Sequence, residues 1–264
     1  SSIIDLSWFS LPEEFSKIVI TLITLFSTAK FTDIVLAKIT TFIKLCFVMD
    51  ERSSQFRYSK YSAIIFLAVV IISTIVTLSP TFTLRYVGLD IAFFIVFITE
   101  ILISTLVYLF YLKEFPECRI KIRTDSATVK FSALSFLIII LIQLAVYCYR
   151  DYLYHYEPSQ INWITVLVMT LVVPYYEEIV YRACAFGFLR SIFKENIIIP
   201  CVITSLFFSL MHFQYYNVLD QSVLFVVSML LLGVRIKSRS LFYPMLIHSG
   251  MNTFVILLNI QNIL

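Results

Sequence analysis

The sequence predicts an all-α protein, a polytopic bundle of seven or eight transmembrane helices. Its 264 residues are 60% hydrophobic and only 14% charged, whereas soluble domains carry about 25% charged residues. The mean hydropathy is +0.91. Long apolar stretches recur along the chain, and about 20 apolar residues let an α-helix cross a bilayer with its backbone polar groups satisfied.

Seven apolar segments are predicted as spans. They are Tyr61–Ser79, Leu89–Leu112, Phe131–Tyr149, Asn162–Leu189, Ile197–Phe213, Asp220–Ile236 and Leu241–Ile260. Residues 1–60 form a separate N-terminal segment that ends in a basic loop, and the bundle occupies residues 61–264. The apolar run between Lys17 and Lys30 is a candidate eighth span, if its lysines extend to the interfaces. The stretch that follows Lys30 has the amphipathic spacing of an interfacial helix.

The distribution of lysine and arginine predicts the orientation of the bundle. Every second loop is basic, namely residues 50–60, 113–130, 190–196 and 235–240, whereas each alternate loop holds at most one arginine. Short loops rich in lysine and arginine face the cytoplasm. We therefore expect these four loops at one end of the bundle and the C-terminus outside.

Three charged residues stand inside the fourth predicted span. Residues 171–186 read LVVPYYEEIVYRACAF and contain Glu177, Glu178 and Arg182. Charges within a span are costly and mark candidate functional sites. Glu178 and Arg182 are four residues apart, so we expect them to pair on one helix face. Glu177 points about 100° away and stays available, and Pro174 is expected to kink the helix just before it.

Two of the three histidines also lie in predicted spans. His212 ends the stretch FSLMH, whereas His248 begins HSGMN and Asn252 ends it. His248 and Asn252 are four residues apart and project together. Gly250 between them is expected to let another helix approach closely. Glu100, in the second span, is expected to bond to a neighbouring helix rather than to line a cavity.

These polar residues fit more than one function. A carboxylate beside an imidazole can take a proton from water, and imidazole and amide donors can stabilise the resulting oxyanion. The set is therefore suited to hydrolysis of an amide by water. Helix bundles also hold such groups as proton relays in transport or as contacts between helices. Spacing alone leaves the three interpretations open.

Three motifs resemble those of the CAAX-protease and bacteriocin-processing family, also called the Abi family. EEIVYR at 177–182 is similar to its EExxxR motif, FSLMH at 208–212 to FxxxH, and HSGMN at 248–252 to HxxxN. The motifs occur in the family's order and in three separate spans. Tyr181 stands where the family often has Phe. The resemblance covers about residues 160–260, which we take as the motif-bearing core.

The resemblance implies an intramembrane endopeptidase of the glutamate type. In that family's mechanism, Glu177 would activate the attacking water with His212 as its partner. His248 and Asn252 would bind the oxyanion. The substrate would be a peptide or protein in or at the membrane, such as the precursor of a bacteriocin or another secreted peptide that undergoes maturation or leader removal.

The supporting residues and a metal alternative follow from the same resemblance. Glu178 and Arg182 would hold the geometry of the site. Glu177 and the two histidines are residue types that zinc accepts as ligands, but the sequence has no HExxH motif, and the ligands would come from three helices. We therefore predict no metal and no other cofactor.

A different class of function stays open beside the peptidase. The alternative is a non-proteolytic membrane protein, either an immunity or regulatory factor or a transporter that uses the same charges as a relay. The modest net charge of +3 gives no indication of nucleic-acid binding. The size and the Ile- and Phe-rich composition favour the inner (cytoplasmic) membrane of a bacterium. The sequence does not define an oligomeric state.

Helix lengths pose a geometric difficulty for a common site. At a rise of about 1.5 Å per residue, Glu177 lies about 20 Å from the cytoplasmic end of its span, His248 about 12 Å and His212 about 24 Å. Straight, parallel helices would therefore hold the three side chains at different depths. A tilt, or a cytoplasmic turn that extends past Ile199 to Pro200, could bring them together.

Overall fold

The computed structural model of the protein describes most of the predicted bundle. It covers residues 60–263 except 81–85, 87, 155–158, 162, 195 and 213–216. All of these residues belong to one compact unit, residues 50–264. The predicted N-terminal segment, with its candidate eighth span and interfacial helix, lies outside the described residues apart from Lys60.

The described residues form seven helices, in the order in which the sequence predicts seven spans. They are α1 Lys60–Leu78, α2 Leu89–Phe110, α3 Ser126–Tyr154, α4 Trp163–Ile192, α5 Ile198–Met211, α6 Val218–Ser238 and α7 Phe242–Asn259. Two 3₁₀ turns, Leu112–Glu114 and Pro116–Cys118, follow α2. The predicted helical membrane bundle is confirmed.

Length and polarity together separate the seven helices into two groups. Five of the described helices, α1 to α4 and α6, are long and apolar enough to cross a membrane, so the chain is a multi-pass membrane protein. Helix α5 has only 14 residues, which corresponds to about 21 Å, less than the hydrocarbon thickness of about 30 Å. The span predicted to reach Phe213 therefore ends earlier, at Met211. Helix α7 has 18 residues but carries several polar residues in its middle, and it is not one of these five helices.

A short strand pair adds to the predicted helices. Strand β1, Ser159–Ile161, precedes α4, and strand β2, Ile260–Ile263, follows α7. The two strands pair in parallel, with an irregularity in register after Ser159. This pairing ties the start of α4 to the end of α7, the two helices that carry most of the motif residues.

Helix α4 is not a regular α-helix along its length. Two segments are π-helical, Val168–Val172 and Glu178–Ala185, and the α-helical turn Val173–Glu177 lies between them. The predicted disturbance at Pro174 is thus present, but it takes the form of π-helical turns on either side. Such turns are rare and are frequent at functional sites. Glu177 ends the α-helical turn, and Glu178 begins the second π-helical segment.

Two basic loops lie together at one end of the bundle. In the loop after α2, the Lys121 N–H donates to Ser240 Oγ at 3.0 Å, and the Arg119 carbonyl accepts the Leu241 N–H at 3.1 Å. Ser240 and Leu241 belong to the turn before α7. Both loops are rich in lysine and arginine, and their contact agrees with the expectation that they share one side of the membrane.

Close packing at this end predicts the effect of a glycine substitution. A Cβ on Gly187 would lie 2.8 Å from the Phe66 ring, which is fully buried between Tyr111 and Phe115. Gly187→Ala is therefore expected to destabilise the protein by about 1–3 kcal/mol through overpacking. The measurement is the midpoint of thermal unfolding in detergent.

A matched substitution separates packing from helix propensity. A Cβ on Gly233 would lie 3.7 Å from the nearest atom, the Phe131 ring, so alanine fits there and gains helix propensity. Gly233→Ala should unfold at or above the wild-type temperature. Equal losses in the two variants would contradict the overpacking at Phe66.

Candidate active site

A fully buried ion pair lies at the centre of the candidate site. Arg182 Nε lies 3.1 Å from Glu178 Oε2, and neither side chain is exposed. The pair predicted from the four-residue spacing is therefore present, although this part of α4 is π-helical. Buried charges persist when they are paired, and this pair removes one carboxylate from the set available for chemistry.

Arg182 also joins α4 to two other helices. Its guanidinium lies 4.4 Å from the centre of the Phe208 ring of α5, a cation–π contact. Its Nη2 donates to Ser228 Oγ of α6 at 3.3 Å. Among the described residues, Nη1 has no hydrogen-bond partner. Arg182 thus holds three helices around Glu178.

Glu178 has a second partner on α7. Its Oε1 lies 2.8 Å from His248 Nδ1. Since the Arg182-paired carboxylate accepts, Nδ1 carries the proton and donates. The other ring nitrogen, Nε2, then points away from Glu178. It donates a hydrogen bond only when the ring carries both protons.

Glu177 lies between the two histidines. Its Oε1 is 3.7 Å from His212 Nε2, and its Oε2 is 3.7 Å from His248 Nε2. The residue is 7% exposed. Both separations exceed a direct hydrogen bond, and a contact of this length suits a bridging water. The structure thus brings the predicted carboxylate to the two predicted imidazoles.

His212 follows the last residue of α5. Its Nδ1 lies 2.8 Å from the Phe208 carbonyl. A carbonyl only accepts, so Nδ1 carries the proton, and in the neutral ring Nε2 keeps a lone pair directed towards Glu177. Gln221 of α6 donates to the His212 backbone carbonyl at 3.1 Å. These contacts fix both the ring and its tautomer.

Asn252 lies on α7, one turn beyond His248. Its amide donates to the Met169 carbonyl of α4 at 2.8 Å. The predicted oxyanion-binding amide is therefore engaged with the backbone through one of its two hydrogens, which leaves the other as a donor. Gly250, between the two motif residues, meets α3 as predicted, since a Cβ there would lie 3.0 Å from the Phe136 ring.

The three predicted side chains meet despite the different depths expected of straight, parallel helices. Helix α5 ends at Met211 and leaves His212 with a non-helical backbone, φ −90° and ψ 49°. His212 therefore sits at a helix end rather than within a full span. The two π-helical segments shift the side chains of α4 relative to a straight α-helix. His212 and His248 both lie beside Glu177 in this irregular region.

Glu100 lies outside this group of contacts. Ser73 Oγ of α1 is 2.8 and 2.9 Å from its two carboxylate oxygens, and Thr77 Oγ1 is 3.2 Å from Oε1. The side chain is fully buried. Glu100 thus bonds to a neighbouring helix, in line with the contact expected from the sequence.

Several contact residues were not identified from the sequence. Ser228 and Gln221 lie on α6, which carries no motif, and no pattern in the sequence marks them. Phe208 was visible as the first residue of FSLMH, but its contact with Arg182 was not.

Within the part of the chain that the structure describes, no cluster of three or more His, Cys, Asp and Glu side chains is arranged to hold a metal.

Comparison with known proteins covers the same part of the chain. Residues 159–254 match the family model described as Type II CAAX prenyl endopeptidase Rce1-like. An uncharacterized 24.3 kDa protein of Escherichia coli is 32% identical over 94 residues, which are 36% of this chain and 43% of that relative. No solved structure matches the chain. The family match includes all three motifs and leaves α1 to α3 unmatched.

Proposed function

Since residues 159–254 match the model of the Rce1-like family of CAAX endopeptidases, we propose that the protein is an intramembrane endopeptidase of the glutamate type. The observation that carries the proposal is the position of Glu177, a buried carboxylate 3.7 Å from each of two imidazoles. The paired Glu178 leaves Glu177 as the carboxylate at which a water is activated.

Glu177 and His212 activate the water. The water binds between the carboxylate and the His212 Nε2 lone pair, and both accept its hydrogens. As its oxygen attacks the peptide carbonyl carbon, a proton passes to Glu177. The proton then moves to the departing nitrogen as the C–N bond breaks. The products are a new carboxylate and a new amine, so the reaction consumes one water per bond.

His248 and Asn252 stabilise the oxyanion. Preorganised donors at the developing charge supply a large share of catalysis in acyl transfer. The Nδ1–H of His248 is held by Glu178, so its Nε2 serves as a donor when the ring carries both protons. Asn252 adds its second amide hydrogen. Glu178 and Arg182 keep the His248 ring in place.

The substrate is a peptide or protein embedded in or adjacent to the membrane. The family description supports a prenylated CAAX C-terminus as one substrate class. A bacteriocin precursor or the leader of another secreted peptide is the second class. It would suit a bacterial protein of the inner membrane, and the similarity to an Escherichia coli protein supports the bacterial source alone. In either case the scissile bond must reach the buried Glu177.

Cleavage of defined peptides tests the proposal. The protein is reconstituted in lipid nanodiscs and incubated with a prenylated CAAX peptide and a leader-type peptide, and products are identified by mass spectrometry. Wild type should cleave at least one peptide. His212→Ala should lower kcat by about 100- to 10,000-fold, since it removes the group that acts with the carboxylate on the water.

A second incubation, with a chelator, distinguishes a metal-dependent mechanism from direct activation of the water by Glu177 and His212. Incubation with 1,10-phenanthroline should leave cleavage unchanged when Glu177 and His212 act directly. If the chelator abolished cleavage and added zinc restored it, the mechanism would be metal-dependent, and Glu177 would not activate the water by itself. Absence of cleavage of both classes by a well-folded wild type would favour the non-proteolytic function, for which proton flux into vesicles is the next measurement.

A further inference from the structure

The turn of α4 before Glu177 contains two carbonyls without their usual donors. In an α-helix, the carbonyl of residue i accepts the N–H of residue i+4. The Val173 N–H donates instead to the Val168 carbonyl, five residues back, so the Met169 carbonyl loses its usual donor. Pro174 has no N–H, so the Thr170 carbonyl loses its donor as well.

Helix α7 supplies a side-chain donor to each of these carbonyls. Asn252 donates to the Met169 carbonyl, and the Ser249 hydroxyl donates to the Thr170 carbonyl. Ser249 and Asn252 are three residues apart and share one helix face. A backbone carbonyl without a donor is costly in the hydrocarbon region, and two donors here match the two carbonyls that α4 releases.

The two bonds lie close to the reacting groups in the chain. Ser249 directly follows His248, and Pro174 precedes Glu177 by three residues. The bonds therefore join the backbone that carries the imidazole to the backbone that carries the carboxylate. These two backbone segments place Glu177 Oε2 and His248 Nε2 at 3.7 Å from each other. A misplacement of about 1 Å in such a site lowers a rate by about 100-fold.

We propose that Ser249 is a positioning residue, whose bond to the carbonyl freed by Pro174 sets the separation of Glu177 and His248. Its catalytic consequence rests on the proposed endopeptidase activity. The coupling between Ser249 and Pro174 does not, because it is a property of the folded helices. Ser249 occupies a variable position of the HxxxN motif, and Pro174 lies before the EExxxR motif.

A double-mutant cycle between Ser249 and Pro174 tests the proposal. Ser249→Ala should lower kcat by about 10- to 100-fold while KM changes by less than about 2-fold. Ser249→Thr keeps the hydroxyl and should restore most of kcat. In a Pro174→Ala background, the new N–H of residue 174 reaches the Thr170 carbonyl. Ser249→Ala should then have a much smaller effect on both kcat and the unfolding midpoint, a non-additivity expected of coupled residues.

Thr253→Ala is the matched control on the same helix. The Thr253 hydroxyl donates to the Ser249 carbonyl within α7, so its loss should leave kcat near the wild-type value. Equal effects of Ser249→Ala and Thr253→Ala, or additive effects of Ser249→Ala and Pro174→Ala on the unfolding midpoint, would overturn the proposal. If wild type cleaves no peptide, the proposed function fails, whereas the unfolding midpoints still decide the coupling.

Discussion

Glu177→Gln is expected to abolish peptide cleavage, with kcat lowered by about 100- to 10,000-fold. Glutamine keeps the size of the side chain but does not accept a proton from the attacking water. Glu177 is buried between two histidines, and the paired Glu178 cannot take over its role without giving up Arg182. The measurement is the steady-state rate of peptide cleavage by the protein in nanodiscs.

Folding and specificity need separate controls in this experiment. Glu177→Gln should keep the wild-type unfolding midpoint within a few degrees, because no ion pair to Arg182 is lost. Glu114→Gln replaces an exposed glutamate in the loop after α2 and should cleave at the wild-type rate. Full activity of Glu177→Gln would exclude Glu177 as the group that activates the water.

Arg182→Met is expected to lower the free energy of unfolding by about 3–5 kcal/mol, the usual cost of removing one partner of a buried ion pair. Glu178 would remain fully buried without its cation, and the contacts with Phe208 and Ser228 would be lost. The measurement is denaturant unfolding in mild detergent, followed by circular dichroism.

A double variant separates lost charge from lost packing. Glu178→Gln together with Arg182→Met removes both charges, so it should unfold at a higher denaturant concentration than Arg182→Met alone. Lys130→Met removes an exposed cation near the start of α3 and should leave stability nearly unchanged. Arg182→Met with wild-type stability would show that the ion pair does not hold the bundle together.

The sequence predicted those features of the site that depend on local spacing. Glu178 and Arg182 pair because residues four apart share a helix face, and the pair survives the change to a π-helical turn. His248 and Asn252 likewise project from one face of α7, and Gly250 meets a neighbouring helix as expected. Each of the seven predicted apolar segments corresponds to one helix. The helix ends differ from the predicted ends by only a few residues, except in α3, which is longer than predicted.

Features that depend on contacts between distant segments were not predictable. The hydrogen-bond partner that selects the His248 tautomer is Glu178, which lies 70 residues from His248 in the chain. Helical arithmetic placed Glu177, His212 and His248 at different depths. In the structure the three side chains lie together, beside the end of α5 and the π-helical turns of α4, and neither feature leaves a clear periodic signal in an apolar run.

The sequence by itself thus determined a helical membrane bundle, its helix order and the polar residues worth testing, because hydropathy, charge and four-residue spacing are local properties of the chain. The tertiary structure alone decided that Glu177 stands between two imidazoles and that Ser249 and Asn252 bind the carbonyls before it. The physical reason is that a carbonyl freed by Pro174 must find a donor within the bundle. Which helix supplies that donor depends on how all the helices pack.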